Sequence, residues 1–264
     1  MGRLWNFASR EDEEFIWGRG ACDTKGIIAS MIFAVEALLA ARLSHPNIVK
    51  ILHLDEQEPP RYFTMELVVG LSLAQKIKKA GFLCPEQGVQ IAIQACEALG
   101  YAHGQNVLHR DIKPTNILIK QDYDIKIGDF SIAHINKPDS TDTQPLGVMG
   151  SPRYMSPEQL RDDTITGQSD LFSLGVVMYE MLCGKHPFAA ENFSRLINRI
   201  LNEEPLPLRD VRQDIPDVLQ EVVRKAMHKD ITKRYSMGLD LATDLSKAFD
   251  TLLEGPQEDI SEQE

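Results

Sequence analysis

The segment His109-Arg110-Asp111-Ile112-Lys113-Pro114-Thr115-Asn116-Ile117-Leu118 constrains this chain more than any other. Pro114 fixes a turn. An aspartate five residues before an asparagine, across that turn, places two polar groups in one pocket. Asp111 can accept a proton from a hydroxyl, while the side-chain carbonyl of Asn116 can hold a magnesium ion. Lys113 stands where it can neutralise charge on a phosphoryl group in flight. Thirteen residues after Asn116, Asp129 ends a strand in Gly128-Asp129-Phe130-Ser131 and offers a second hard oxygen. Phosphoryl transfer asks for these parts and little covalent chemistry besides.

Around this segment the pattern changes from short strands to helices. Residues 1–14 are polar and unpatterned and read as a flexible end. Phe15-Ile16-Trp17 reads as a short strand. Residues 27–43, apolar on nearly all sides, read as a buried helix. Ser44-His45-Pro46-Asn47 breaks it, because a proline disfavours helical geometry in the residue before it. Residues 48–54 and 61–68 read as strands around a polar turn. From Ser72 onward helices dominate, and Ile91, Ala95, Ala98, Leu99 and Ala102 line one face of a long one. A β-hairpin is expected over 116–120 and 124–129, then helices over 168–183, 190–202, 216–228 and 236–253. The stretch of roughly twenty-five residues leading to Pro157, rich in Pro, Asp, Thr and Gly, reads as a functional or mobile loop. Residues 255–264 read as an acidic, disordered tail.

Composition narrows the classes. The 264 residues suffice for one large domain or two small ones. Lys and Arg number 28 against 39 Asp and Glu, a net charge of −11 that excludes broad binding to nucleic acid or anionic lipid. Cys22, Cys84, Cys96 and Cys183 form no C-x-x-C pair, which excludes a zinc ribbon or disulfide scaffold and fits a reducing cytoplasm. The longest apolar stretch, 26–43, carries Ser30, Glu36 and Arg42 and falls short of a membrane span. Acidic residues rather than basic ones precede it, unlike a signal peptide. Asn6 stands where a myristoylation signal wants Ser or Thr. The expectation is a cytoplasmic protein.

The motifs together resemble a known family. His109–Asn116 is similar to the catalytic loop of eukaryotic-type serine/threonine protein kinases, in the form found in bacteria. Asp129-Phe130-Ser131 resembles their D-F-G, with serine for glycine, and Ser156-Pro157-Glu158 resembles their A-P-E. The resemblance runs from about residue 36 to 252 and implies an α+β, two-lobed kinase-like fold. Its front lobe, 15–68, is incomplete and atypical; its mainly helical C-lobe, 69–253, is complete. It implies ATP and Mg2+ as cofactors and a protein serine or threonine as substrate. By the same resemblance Asp111 is the general base and Lys113 stabilises the transferring phosphoryl, while Asn116 and Asp129 bind magnesium. Met65 becomes the gatekeeper of a hinge strand, backbone groups of Glu66 and Val68 hold the adenine edge, and Leu118 belongs to the nucleotide site. Asp170 anchors the catalytic loop, Arg234 pairs with Glu158, and Ser151 shapes the acceptor site. His109 and Phe130 are structural members of the two motifs. Arg110 implies control by phosphorylation in the long loop, with Ser140, Thr141 and Thr143 as candidates.

Two departures stand out. The sequence has no G-x-G-x-x-G-x-V and no V-A-I-K. Glu36 has the spacing of the helix glutamate, but Lys25 opens the same helix, and eleven residues at about 1.5 Å each leave the two roughly 16 Å apart. Arg19 is better placed by spacing. Ile16 to Ala29, containing Gly18-Arg19-Gly20-Ala21-Cys22-Asp23, resembles instead a fragment of zinc-dependent hydrolases of the acetylornithine deacetylase and succinyl-diaminopimelate desuccinylase type. There Asp23 would bridge two zinc ions, yet no histidine precedes His45 to complete the set. Three functions follow: a working kinase, a pseudokinase or scaffold, and, remotely, a zinc amidohydrolase remnant.

Overall fold

The computed structural model describes residues 10–12, 15–17, 43–55, 62–130 and 152–254. The expected helix over 27–43 with Glu36, the hydrolase-like segment beyond Trp17, Ser131, the long loop with Ser151, and the tail all lie outside those residues.

The front of the molecule is made of paired short strands. β1 (Arg10–Asp12) runs antiparallel to β2 (Phe15–Trp17), with Arg10 opposite Trp17. Arg10–Asp12 was expected within an unpatterned end and instead pairs as a strand. β3 (Ile51–Asp55) and β4 (Tyr62–Met65) form a second antiparallel pair, with the register shifting between Ile51 and His53. Both are shorter than the sequence suggests. Ile48 leaves β3 to make a parallel bridge with Ile127, and the Val49 amide donates to the Ile127 carbonyl at 2.9 Å. This bridge joins the front to the sheet beneath the site.

That sheet has three strands in the order β5 (Leu71–Ser72), β6 (Ile117–Ile119) and β7 (Ile125–Ile127), all antiparallel. β6 and β7 alternate buried, half-buried, buried, so Ile117, Ile119, Ile125 and Ile127 enter the core while Leu118 and Lys126 face the other way. Ser72 begins α1 (Leu73–Ala80) with a capping box: its hydroxyl accepts from the Gln75 amide, and the Gln75 side chain accepts from the Ser72 amide at 2.8 Å.

The helical body is built on two long helices. α2 (Pro85–Gly104) begins on a proline, which needs no amide partner there, and buries Ile91, Ala95, Ala98, Leu99 and Ala102. α4 (Gly167–Cys183) has almost every residue from Ser169 to Cys183 buried, as befits a helix that is apolar all round at the centre of a domain. It ends at Gly184, whose φ of 68° suits glycine. A Cβ there would also come within 2.2 Å of the Gly81 carbonyl oxygen, so glycine is what lets the ends of α1 and α4 approach this closely. Between the two long helices in sequence lies α3 (Pro157–Arg161), and α5 (Phe193–Asn202), α6 (Leu208–Val211), α7 (Asp217–Ala226) and α8 (Gly238–Glu254) follow. α8 packs along α2, and α7 along α4. No helix among the described residues is long and apolar enough to cross a membrane.

Candidate active site

Residues 107–113 carry no regular structure and lie between α2 and a 3-10 turn at Pro114–Asn116. What fixes them is Asp170, in the first turn of α4 and 1% exposed. Its Oδ2 accepts from the His109 amide at 2.8 Å and its Oδ1 from the Arg110 amide at 2.7 Å. The Nε2 of His103 lies 2.8 Å from Oδ2. Burial pushes this carboxyl up, but the hydrogen bond and charge of His103, with His109 behind them, outweigh it and hold it below the ordinary aspartate range. A negative charge at a helix N-terminus is favoured in addition by the helix dipole. The clamp holds Arg110 at φ 66°, a left-handed conformation that costs a non-glycine residue about 1 kcal/mol or more and needs such support.

His109 is fully buried and acts as a second strut. Its Nε2 donates to the Gly128 carbonyl at 3.0 Å, and its Nδ1 accepts from the Asp111 amide at 3.3 Å. Burial lowers its pKa despite the nearby carboxylates, so the neutral ring these two bonds require is also the favoured one. Phe130, buried, lies against that ring at 4.5 Å between centroids. The catalytic-loop-like and D-F-G-like motifs therefore share one joint.

From this frame three side chains converge. The Lys113 ammonium sits 2.5 Å from Asp111 Oδ2. Asn116 Nδ2 donates to the Asp111 backbone carbonyl at 2.9 Å and to its Oδ2 at 3.3 Å, while the Asn116 side-chain oxygen accepts from the Thr115 hydroxyl at 3.3 Å. The Gly128 amide donates to the Asn116 carbonyl at 2.9 Å and so brings Asp129 alongside. Asp129 is exposed at φ 51°, and no cation pairs with it among the described residues. The Asn116 side-chain oxygen and the Asp129 carboxylate are hard donors that fit magnesium. A site of two such ligands is the kind completed by phosphate oxygens and water, since among the described residues no three His, Cys, Asp or Glu side chains form a metal cluster.

The other predicted residues fall into two groups. Met65 ends β4 and is 39% exposed, and Glu66 follows it. The Glu66 amide donates to the Lys50 carbonyl at 2.9 Å, and its carboxylate takes the Lys50 amide and the Lys126 ammonium. The Glu66 carbonyl and the Val68 amide have no hydrogen-bond partner among the described residues. Leu118 is half-buried on the outward face of β6. Below the catalytic segment, Glu158 and Arg234 make a buried two-pronged pair at 2.7 and 3.2 Å, and Ser169 donates to the same carboxylate at 2.7 Å. Gln159 next to Glu158 donates to the Arg110 carbonyl at 2.9 Å, tying α3 to the site. Glu36 and Ser151 lie outside the described residues.

Sequence reasoning missed His103 and the Asn47–Gln94 pair. His103 follows the buried stripe of α2 by one residue, and a Cβ on Gly167 would strike its ring at 2.5 Å, so Gly167 is the mark of a histidine packed there. Gln94 accepts from Asn47 at 2.9 Å and from the Ile125 amide at 3.1 Å, fastening the bridge of Ile48 to β7. Neither carries a motif.

A family model described as the protein kinase domain matches residues 23–246. This chain belongs to the protein kinase domain family. It is 37% identical over 215 residues to a probable serine/threonine-protein kinase of Clostridium perfringens, covering 81% of this chain and 31% of that protein. Against the serine/threonine-protein kinase PknB of Mycobacterium leprae it is 36% identical, covering 81% of this chain and 35% of the relative. Against PrkC of Bacillus subtilis it is 37% identical, covering 83% and 34%. The chain thus spans about a third of the length of these curated relatives. The fold class is the expected one: a kinase domain with small sheets in front and a mainly helical C-lobe. The family model begins at Asp23, inside the segment read as hydrolase-like, and the comparisons give that resemblance no support.

Proposed function

We propose that this chain is the kinase domain of a serine/threonine protein kinase, transferring the γ-phosphoryl group of ATP to a protein hydroxyl. The observation that carries this reading is the Asp111 carboxylate, held by Lys113 and Asn116 on a loop clamped by Asp170. In the reaction the acceptor hydroxyl gives its proton to Asp111 as its oxygen bonds to the γ-phosphorus. The bond from that phosphorus to the β–γ bridging oxygen breaks, and its electron pair leaves with ADP. Lys113 neutralises charge on the phosphoryl oxygens and keeps the Asp111 carboxylate aimed. Asn116 and Asp129 would hold Mg2+, which supplies charge neutralisation at the phosphates. Met65, Leu118, the Glu66 carbonyl and the Val68 amide would line the adenine end, with Glu36 on the front helix. Ser151 shapes the acceptor side, and Arg110 answers to phosphorylation of the 131–151 loop.

We place the front lobe at 15–68 and the body at 69–253, in a cytoplasmic setting suggested by Cys84, Cys96 and Cys183, which are free among the described residues. The hydrolase-like start is given no zinc chemistry in this reading. The absence of a glycine-rich loop and strand lysine from this sequence favours a second reading, a kinase-shaped scaffold. Transfer of labelled phosphate from Mg-ATP, measured beside Asp111→Asn, separates the two: label lost in the variant supports the kinase, and no label above the variant supports the scaffold.

A further inference from the structure

A concavity of about 530 Å³ opens beside the site, between α1 and the Pro152–Tyr154 turn. Its wall includes Lys78 of α1, Lys113, Thr115, Arg153, Tyr154 and Glu180 of α4. Three of these are cations, in a chain whose net charge is −11. Lys78 and Arg153 are exposed, and neither has an acidic partner among the described residues. The single carboxylate, Glu180, accepts the Tyr154 hydroxyl at 2.6 Å. Burial and that bond push the tyrosine pKa up, so the hydroxyl stays a donor and Glu180 is turned toward it. The backbone carrying Arg153 is itself fixed, since its carbonyl accepts from His186 Nε2 at 2.8 Å.

The pocket lies within one side chain of the proposed base, because Lys113 lines it and also reaches Asp111. A peptide whose hydroxyl reached Asp111 would pass Lys113 and with it this pocket. An extended chain advances at most about 3.5 Å per residue, so the side chain that enters belongs to a residue within about three positions of the acceptor. Resting on the kinase reading above, we propose that this pocket selects acceptor peptides bearing aspartate or glutamate close to the phosphorylated serine or threonine. Lys78 and Arg153 supply the attraction. Each exposed pair is weak, and two acting together amount to about a five- to tenfold preference at low salt.

The test uses the full chain and fluorescein-labelled peptides with one serine in an alanine background, carrying Glu or Arg at each of three positions on either side. Binding is read by fluorescence anisotropy and transfer by labelled phosphate. Tighter binding of Glu than Arg peptides by about five- to tenfold at one or more positions is expected, falling to within twofold in Lys78→Ala/Arg153→Ala. Equal binding, a preference for Arg, or a Glu preference unchanged in the double variant overturns the proposal. Should that variant melt early, the salt dependence of the wild-type protein decides: a Glu advantage that does not shrink at high salt also overturns it. Transfer without acid preference defeats the pocket alone, while acid-selective binding without transfer defeats only the kinase reading.

Discussion

Replacing Asp170 by alanine removes the clamp on the catalytic segment at its source. Two amides, of His109 and Arg110, lose acceptors at 2.8 and 2.7 Å, and the His103 ring loses its partner at 2.8 Å. Each stranded buried donor costs about 1–3 kcal/mol. Removing the carboxylate also recovers part of its own burial cost, so the net loss is about 4 kcal/mol, within the range for breaking buried charged networks. In a domain of this size that lowers the melting temperature by about 8–16 °C. Asp170→Asn keeps one acceptor for the Arg110 amide and turns its NH2 toward the His109 amide, so it should lose about half as much. Thermal unfolding followed by circular dichroism measures both. A loss below about 1 kcal/mol for Asp170→Ala would refute the view that this residue holds the loop.

Two further outcomes are expected. Arg234→Met strands the buried Glu158 carboxylate and should cost about 3–5 kcal/mol, whereas Glu158→Gln/Arg234→Met should lose less than the single variant in the same melts, because the uncompensated charge is gone. His186 is 7% exposed; its Nε2 donates to Arg153 and its Nδ1 accepts from the Phe188 amide, so protonation breaks the second bond. Burial, aided by the Arg153 charge, lowers its pKa from 6.5 to about 4. The unfolded chain therefore binds the proton more readily, and stability is lost as pH falls from 6.5 towards 4. Between pH 7.5 and 5 this amounts to about 2 kcal/mol, and His186→Gln should remove that share of the acid sensitivity in denaturant titrations, leaving the share that belongs to buried His109.

The helical body was legible because periodicity and burial agree there: the stripe from Ile91 to Ala102 does face the core. The segment 109–118 stood out in the sequence by residue types and spacing, and the structure holds it in one clamped loop. The helix ends differ from expectation by one to three residues, since caps such as Thr166 and Asn192 set the start rather than the first apolar residue. The strands were less legible. Ile48 belongs by pattern to β3, yet it bridges to Ile127, 79 residues along the chain in a partner that pattern cannot reveal. Arg10–Asp12 has a strand's pairing without a strand's composition. His103 escaped notice because a histidine at the end of a helix looks like a solvated one until Asp170, on another helix, is placed beside it.

The central claim is that Asp111, on its clamped loop, serves phosphoryl transfer. The most direct measurement is transfer of labelled phosphate from ATP, with and without magnesium, to the chain itself and to a mixture of serine peptides of acidic, neutral and basic character, with Asp111→Asn run alongside. The account predicts magnesium-dependent label that falls by at least a hundredfold in the variant, the scale of a lost general base. Label that is equal in the two proteins, or absent from both, would contradict it.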